Sequence, residues 1–157
     1  HGGNGWTLAP GCVRYLLKQF THQATVQKDE PLAIIGAGVI GLLTAYMLVK
    51  NGYTNITVFA EQFDDLASHK AGGFCAPTSS FGKDADPELQ TYISADAYCF
   101  YAEIARGENP DFDAQGARFM PVYMLRHETR MDAYVETGVM QPPQDVIIDF
   151  SNGKIYD

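Results

Sequence analysis

The sequence predicts an α/β fold built on one βαβ unit with a partial parallel sheet, followed by the start of an α+β region. Three observations lead there. The charge-free run from Pro31 to Val49 divides at its glycines into a buried strand, a turn and a buried helix. A second apolar run, Ile56 to Phe59, follows closely, so strand, helix and strand fit within about 30 residues and should pair in parallel through a right-handed crossover. The length, 157 residues, suits one ordinary domain but not two complete ones.

The elements follow in order. The opening, HGGNGWTLAPG, reads as a glycine-rich loop, and Val13, Leu16, Leu17 and Phe20 then recur at helical spacing in a short helix from Pro10. Residues 21–30 are polar, lack apolar periodicity and read as a linker. Leu32 to Ile35 is the first strand, Val39 to Lys50 a helix closed by Asn51-Gly52, and Ile56 to Phe59 the second strand. Ala67 to Pro77, small, polar and glycine-bearing, reads as a loop. Asp86 suits an N-cap, Pro87 the first helical position and Glu88 the positive end of the helix dipole, so a longer helix starts there. Its apolar face is Leu89, Tyr92, Ile93, Ala97, Phe100 and Ile104, and Gly107 ends it. Phe119 to Leu125 reads as a strand with Pro121 at an edge or bulge. Val146 to Phe150 and Lys154 to Tyr156 flank Asn152-Gly153, a type I′ hairpin signal.

The organisation expected is therefore a loop and helix over 1–20, a linker over 21–30, the βαβ core over 31–77 and a helix-and-hairpin region over 78–157. A hairpin running into the last residue suggests a piece of a longer protein. No Met precedes His1, which suggests a processed, trimmed or engineered start with no signal peptide to read.

Composition excludes several classes. With 46% apolar and 19% charged residues, a collagenous, coiled-coil or wholly disordered chain is ruled out. Eleven Lys and Arg against 19 Asp and Glu leave a net charge of −8 with no basic stripe, so no nucleic-acid partner is expected. Cys12, Cys75 and Cys99 are odd in number and in no metal or CxxC spacing, which predicts free thiols in a reducing, cytoplasmic setting and no structural zinc. Pro31 to Val49 is long enough for a membrane span, but its three glycines and central turn favour the strand–turn–helix reading, so no membrane partner is expected.

The chemistry concentrates at the turn. Gly36, Ala37, Gly38, Val39, Ile40 and Gly41 fit GxGxxG between a predicted strand and helix. Gly36 permits the tight turn, Gly38 lets a pyrophosphate approach the backbone, and Gly41 lets helix and strand pack closely, with the phosphate meeting the helix N-terminus. Twenty residues after Gly41, Glu61 can accept hydrogen bonds from both adenosine ribose hydroxyls and would repel a 2′-phosphate. The core is thus Rossmann-like and dinucleotide-binding, with NADP disfavoured and NAD and FAD both open.

Two further stretches, Ala67-Ser-His-Lys-Ala-Gly-Gly-Phe-Cys-Ala-Pro77 and the opening HGGNGWT, join IIGAGVIGL in a combination that resembles FAD-dependent oxidoreductases of the D-amino-acid oxidase family, which includes glycine and sarcosine oxidases. The resemblance covers most of residues 1–77 and only the general layout of 78–157. It implies FAD as cofactor and oxidation of an amino acid or secondary amine by hydride transfer to the flavin. It also implies roles for particular residues. The glycine turn lines the pyrophosphate, Glu61 and Gln62 hold the ribose, and Ser68 bonds a phosphate. Gly72, Gly73 and Phe74 run beside the ribityl chain and flavin ring. Gly2, Gly3, Asn4, Gly5, Trp6 and Thr7 place backbone N–H groups near the flavin pyrimidine, where reduction develops negative charge.

The family's HGGxGxT segment lies near the C-terminus, whereas here it precedes the first strand. A circular permutation, a junction between tandem modules and an engineered or truncated chain all fit. The family's substrate-binding Arg and flavin-covering Tyr have no assignable counterpart, so no catalytic residue is assigned. Possible partners are an amine substrate and the remainder of the oxidoreductase or a second copy. The rival readings are a non-catalytic Rossmann module that assembles with another chain, and an NAD-binding dehydrogenase domain.

Other features read more simply. His1 and His69 read as solvated rather than proton-carrying, and Cys75 as a packing residue rather than a flavin link. Asp64-Asp65 reads as a turn rather than a metal pair, and Ser79-Ser80 stands in no nucleophile context.

Overall fold

The structure, a computed structural model, describes residues 4–23, 25–73, 86–121, 132–136, 142, 147–149 and 154–156. The chain divides into two units, His1–Leu125 and Arg126–Asp157. The first contains helices α1 (Gly5–Gln23), α2 (Val39–Lys50), α3 (Ala67–Lys70) and α4 (Pro87–Ala105), strands β1 (Leu32–Ile35) and β2 (Ile56–Phe59), and a 3₁₀ turn over Ala114–Gly116.

The βαβ unit is as the sequence predicts. β1 and β2 pair in parallel, Leu32 opposite Ile56 through Ile35 opposite Phe59. α2 buries Leu43, Thr44, Met47 and Leu48, and the Thr44 hydroxyl is satisfied by donating to the Ile40 carbonyl at 2.7 Å. Asn51-Gly52 ends the helix: Gly52 has φ +87, and the N–H groups of Asn51 and Tyr53 return to the Leu48 carbonyl at 3.0 and 3.1 Å. The other side of each strand faces outward, leaving Ile35 90% and Phe59 57% exposed.

α4 also follows its local signals. Asp86 caps it by accepting from the Glu88 N–H at 2.9 Å. It stops at Arg106, followed by Gly107 at φ +71. Ile93, Ala97, Phe100 and Ile104 are buried as expected. Tyr92 is not part of that face. Its ring is exposed and packs edge-on against Tyr15, with Lys18 over it.

α1 departs from expectation. It starts at Gly5 instead of Pro10 and runs to Gln23, taking in residues read as a glycine loop and the first part of the linker. Tertiary contacts overcome two poor helix formers. Pro10 has no N–H to give the Trp6 carbonyl one turn back, and the Tyr101 hydroxyl donates to that carbonyl instead, at 2.6 Å. Gly11 lets α1 and α4 touch backbones: a Cβ there would stand 2.0 Å from the Ile93 carbonyl oxygen. Ala9, Val13 and Leu17 then enter one core with Leu43, Met47 and Leu48 of α2, Phe100 and Ile104 of α4, and Tyr53. Leu16, expected on the apolar face, is exposed.

Two further readings change, one of a loop and one of a strand. Residues 67–70 form the single turn α3, entered through Asp65 at φ +58, with a 2.7 Å ion pair from Lys70 back to Asp65. Phe119 to Pro121 is not a strand, and Phe119 and Met120 are exposed; Pro121 has no N–H to offer a ladder. Residues 122–125 of that reading lie outside the described residues. In the second unit, β3 (Ile147–Asp149) and β4 (Lys154–Tyr156) pair antiparallel, with Ile148 opposite Ile155, as the Asn152-Gly153 signal predicts. The short helix α5 (Asp132–Glu136) was not foreseen. No helix among the described residues is long and apolar enough to cross a membrane.

Candidate functional site

The glycine turn between β1 and α2 is shaped by three different constraints. Gly36 sits at φ +110, where a side chain is strained, and its N–H donates to the Phe59 carbonyl at 2.7 Å, tying the turn to the end of β2. A Cβ on Gly41 would stand 2.0 Å from the Gly36 carbonyl oxygen and 3.6 Å from the Ile34 side chain, so only glycine lets the helix seat on the strand. Gly38, the N-cap of α2, is different. Its φ of −73 and ψ of 178 suit any residue, and it supplies no side-chain cap. What its missing side chain leaves is open backbone at the helix start.

Ser68 closes over that start. Its hydroxyl accepts from the Val39 N–H at 3.2 Å and would lie 3.4 Å from a Cβ on Gly38. A serine hydroxyl that accepts one hydrogen bond still has its own proton to donate. The N-terminal segment arrives beside it: the Trp6 indole Nε1–H donates to the Ser68 carbonyl at 2.8 Å, and a Cβ on Gly5 would be 3.7 Å from Val39 Cγ1. The first turns of α1 and α2 thus lie side by side, and neither contains an acidic residue. Two positive dipole ends with no carboxylate in either turn favour an anion.

The structure therefore brings together Gly5, Trp6, Gly36, Ala37, Gly38, Val39, Ile40, Gly41 and Ser68. Asn4 precedes α1 and takes its first hydrogen bond, from the Leu8 N–H at 3.1 Å. Gly5, Trp6 and Thr7 form the first turn of α1 instead of a loop. Glu61 and Gln62 are exposed just beyond the end of β2, and Gly72 and Gly73 are exposed after α3, Gly73 at φ +63. Gly2, Gly3 and Phe74 lie outside the described residues, as do His1, Cys75, Ser79 and Ser80. Sequence reasoning missed the part played by the Trp6 side chain and by Tyr101. The available signal was Pro10, which leaves the carbonyl four residues earlier in need of another donor.

The opposite end of α2 has another character. A groove of about 400 Å³ there is lined by Arg14 and Lys18 of α1, Tyr46, Met47 and Lys50 of α2, and Phe100 of α4, among others. Its charges are largely paired, Arg14 with Asp96 at 2.9 Å and Lys50 with Asp111 at 2.7 Å. Partial burial, with the hydrogen bond to Asp111 and that carboxylate's charge, pushes the Tyr46 hydroxyl up to about 12. A helix C-terminus repels anions, so the glycine end is the better phosphate site. Among the described residues no three His, Cys, Asp or Glu side chains gather to hold a metal. Burial pushes the Cys12 thiol up, away from a reactive thiolate.

The cradle fits a dinucleotide pyrophosphate: the turn carries no side chain at Gly38 and has the Ser68 hydroxyl beside it, is tight at Gly36 and Gly41, and is free of carboxylates in both adjoining helix turns. Comparison with known proteins agrees. The model of the FAD-dependent oxidoreductase family abbreviated DAO matches residues 31–144. A polyenoic fatty acid isomerase from Ptilota filicina is 32% identical over 75 residues, which make up 48% of this chain. The chain spans 13% of that relative's length. No solved structure matches. With the glycine turn, Ser68 and the family match in agreement over one continuous stretch, the chain belongs to the FAD-dependent oxidoreductase (DAO) family, whose cofactor is FAD.

Proposed function

We propose that the chain is the FAD-binding part of an oxidoreductase that oxidises an amino acid or a secondary amine. The observation that carries this reading is the meeting of three distant segments at the start of α2: Gly5 beside Val39, Trp6 bonded to Ser68, and Ser68 bonded to Val39. These are the segments whose motifs, taken together, resemble the amine-oxidising oxidases. The resemblance to glycine and sarcosine oxidases supplies the substrate class.

In this reading the N–H groups at Gly38 and Ile40 receive the pyrophosphate, and Ser68, held by the Val39 N–H, donates its hydroxyl proton to a phosphate oxygen. Glu61, with Gln62, holds the adenosine ribose. Gly72, Gly73 and Phe74 follow the ribityl chain, and Gly2, Gly3, Asn4, Gly5, Trp6 and Thr7 line the pyrimidine edge. FAD supplies the redox chemistry, as acceptor of the hydride from the carbon beside the amine nitrogen. The residues named here bind and orient the cofactor, and none is assigned as acid or base.

The exposed outer face of the sheet, with Ile35 and Phe59, supports assembly with further oxidoreductase sequence or a second copy, since parallel sheets are normally covered on both sides. Cys99, an exposed free thiol, supports a cytoplasmic setting. The test is anaerobic mixing of FAD-loaded protein with a panel of amino acids and secondary amines. Bleaching of the flavin band, with hydrogen peroxide formed once oxygen is admitted, is the expected result; no bleaching with any amine contradicts the substrate class.

A second reading comes from the match to a polyenoic fatty acid isomerase. In it the cofactor site is the same and the reaction is a redox-neutral shift of double bonds. A change in the ultraviolet spectrum of a polyenoic acid without oxygen consumption would select it over amine oxidation.

A further inference from the structure

Resting on the cofactor reading above, we propose that Trp6 is a positioning residue for the phosphate site, its indole N–H holding the α3 turn so that the Ser68 hydroxyl stays over the start of α2. α3 has only four residues, no side-chain cap and no buried residue, so its own packing does little to hold it. The ion pair between Lys70 and Asp65 is exposed at both ends and contributes little. The bond from Trp6 Nε1 to the Ser68 carbonyl, 2.8 Å and partly buried, is a firmer anchor.

Trp6 is itself fixed from behind. Its carbonyl, which Pro10 cannot satisfy, receives the Tyr101 hydroxyl at 2.6 Å. A line of hydrogen bonds thus runs from α4 through α1 to α3 and ends at the Val39 N–H of α2. The Trp6 side chain meets the backbone of Ser68 and leaves the hydroxyl, which accepts from the Val39 N–H, to donate its proton to the ligand. Dinucleotide affinity should therefore depend on an indole that acts through Ser68.

The test uses the full chain and ADP, the half of the cofactor that lies on this site. Calorimetric titration compares wild type, Trp6→Phe, Ser68→Ala and the double variant. Each single change should weaken ADP binding roughly three- to tenfold, the usual range for one hydrogen bond. The double variant should be little worse than the poorer single, because both act through one contact. By reciprocity, ADP should slow hydrogen exchange of the indole N–H in wild type, a signal that stands alone because the chain has 1 Trp. That measurement also covers a Trp6→Phe chain that does not fold. Wild-type binding with undiminished affinity in Trp6→Phe, full multiplication of the two losses, or indole exchange indifferent to ADP would overturn the positioning role alone. A wild-type chain that binds no ADP overturns the cofactor reading, and the positioning role falls with it.

Discussion

α2 and α1 begin side by side, yet the two starts are held in different ways. α2 starts where its own sequence tells it to: a strand, a glycine at φ +110 and a glycine whose Cβ would collide with the turn. α1 starts among Gly5, Trp6 and Thr7 with Pro10 and Gly11 close behind, a poor local helix. It is helical because α4 supplies what it lacks, a hydroxyl for the Trp6 carbonyl, and packs its backbone at Ile93 directly against Gly11. The lesson is that one half of this site is built locally and the other is borrowed across 95 residues.

That contrast can be broken most severely at Gly11. In Gly11→Ala the new methyl meets the Ile93 carbonyl, and helix separation should cost about 3 kcal/mol. Thermal or urea unfolding measures this, and a loss well under 1 kcal/mol would contradict the close approach. Next is Tyr101→Phe, which leaves the Trp6 carbonyl without its donor and should cost about 1–3 kcal/mol. Pro10→Ala restores a backbone N–H, so Tyr101→Phe should cost clearly less in that background, and an additive double variant would show that the hydroxyl does not replace the missing N–H.

On the local side, Asp86→Ala removes the cap of α4 and should cost about 1 kcal/mol with ADP binding unchanged. The smallest effects belong to the far end of α2. The Tyr46 hydroxyl is raised in the folded state, so its contribution is complete below its ordinary 10 and is lost as pH climbs to about 12. Lys50 and the Tyr46 hydroxyl lower the Asp111 carboxyl from its ordinary 3.8. Its contribution is present above that value and fades as pH falls through the lower, folded one. Tyr46→Phe should flatten the alkaline limb of a stability–pH curve and Asp111→Asn the acid limb; an unchanged curve would contradict the pairing.

Much of the fold was legible because its signals were local. Asp86, Pro87 and Gly107 mark both ends of α4, Asn51-Gly52 ends α2, and the apolar runs at residues 32 and 56 are β1 and β2. The start of α1 was not legible, since the donor that makes Pro10 tolerable comes from a residue remote in sequence. Tyr92 was misread because helical spacing predicts a stripe but not how wide a neighbouring helix makes it. At the site, the glycine turn and Ser68 could be read from motif and resemblance. The indole bond could not, because motif reading gave Trp6 a backbone role and has no way to see its side chain.

The central claim, that this turn holds the FAD pyrophosphate, is tested most directly by titrating FAD into wild type and Gly38→Ala in parallel. Gly38 has ordinary backbone angles, so alanine there should fold normally and only obstruct the ligand. The account predicts saturable one-to-one FAD binding in wild type and at least tenfold weaker binding in Gly38→Ala at unchanged melting temperature. Equal FAD affinity in the two chains, or no FAD binding by either, would contradict it.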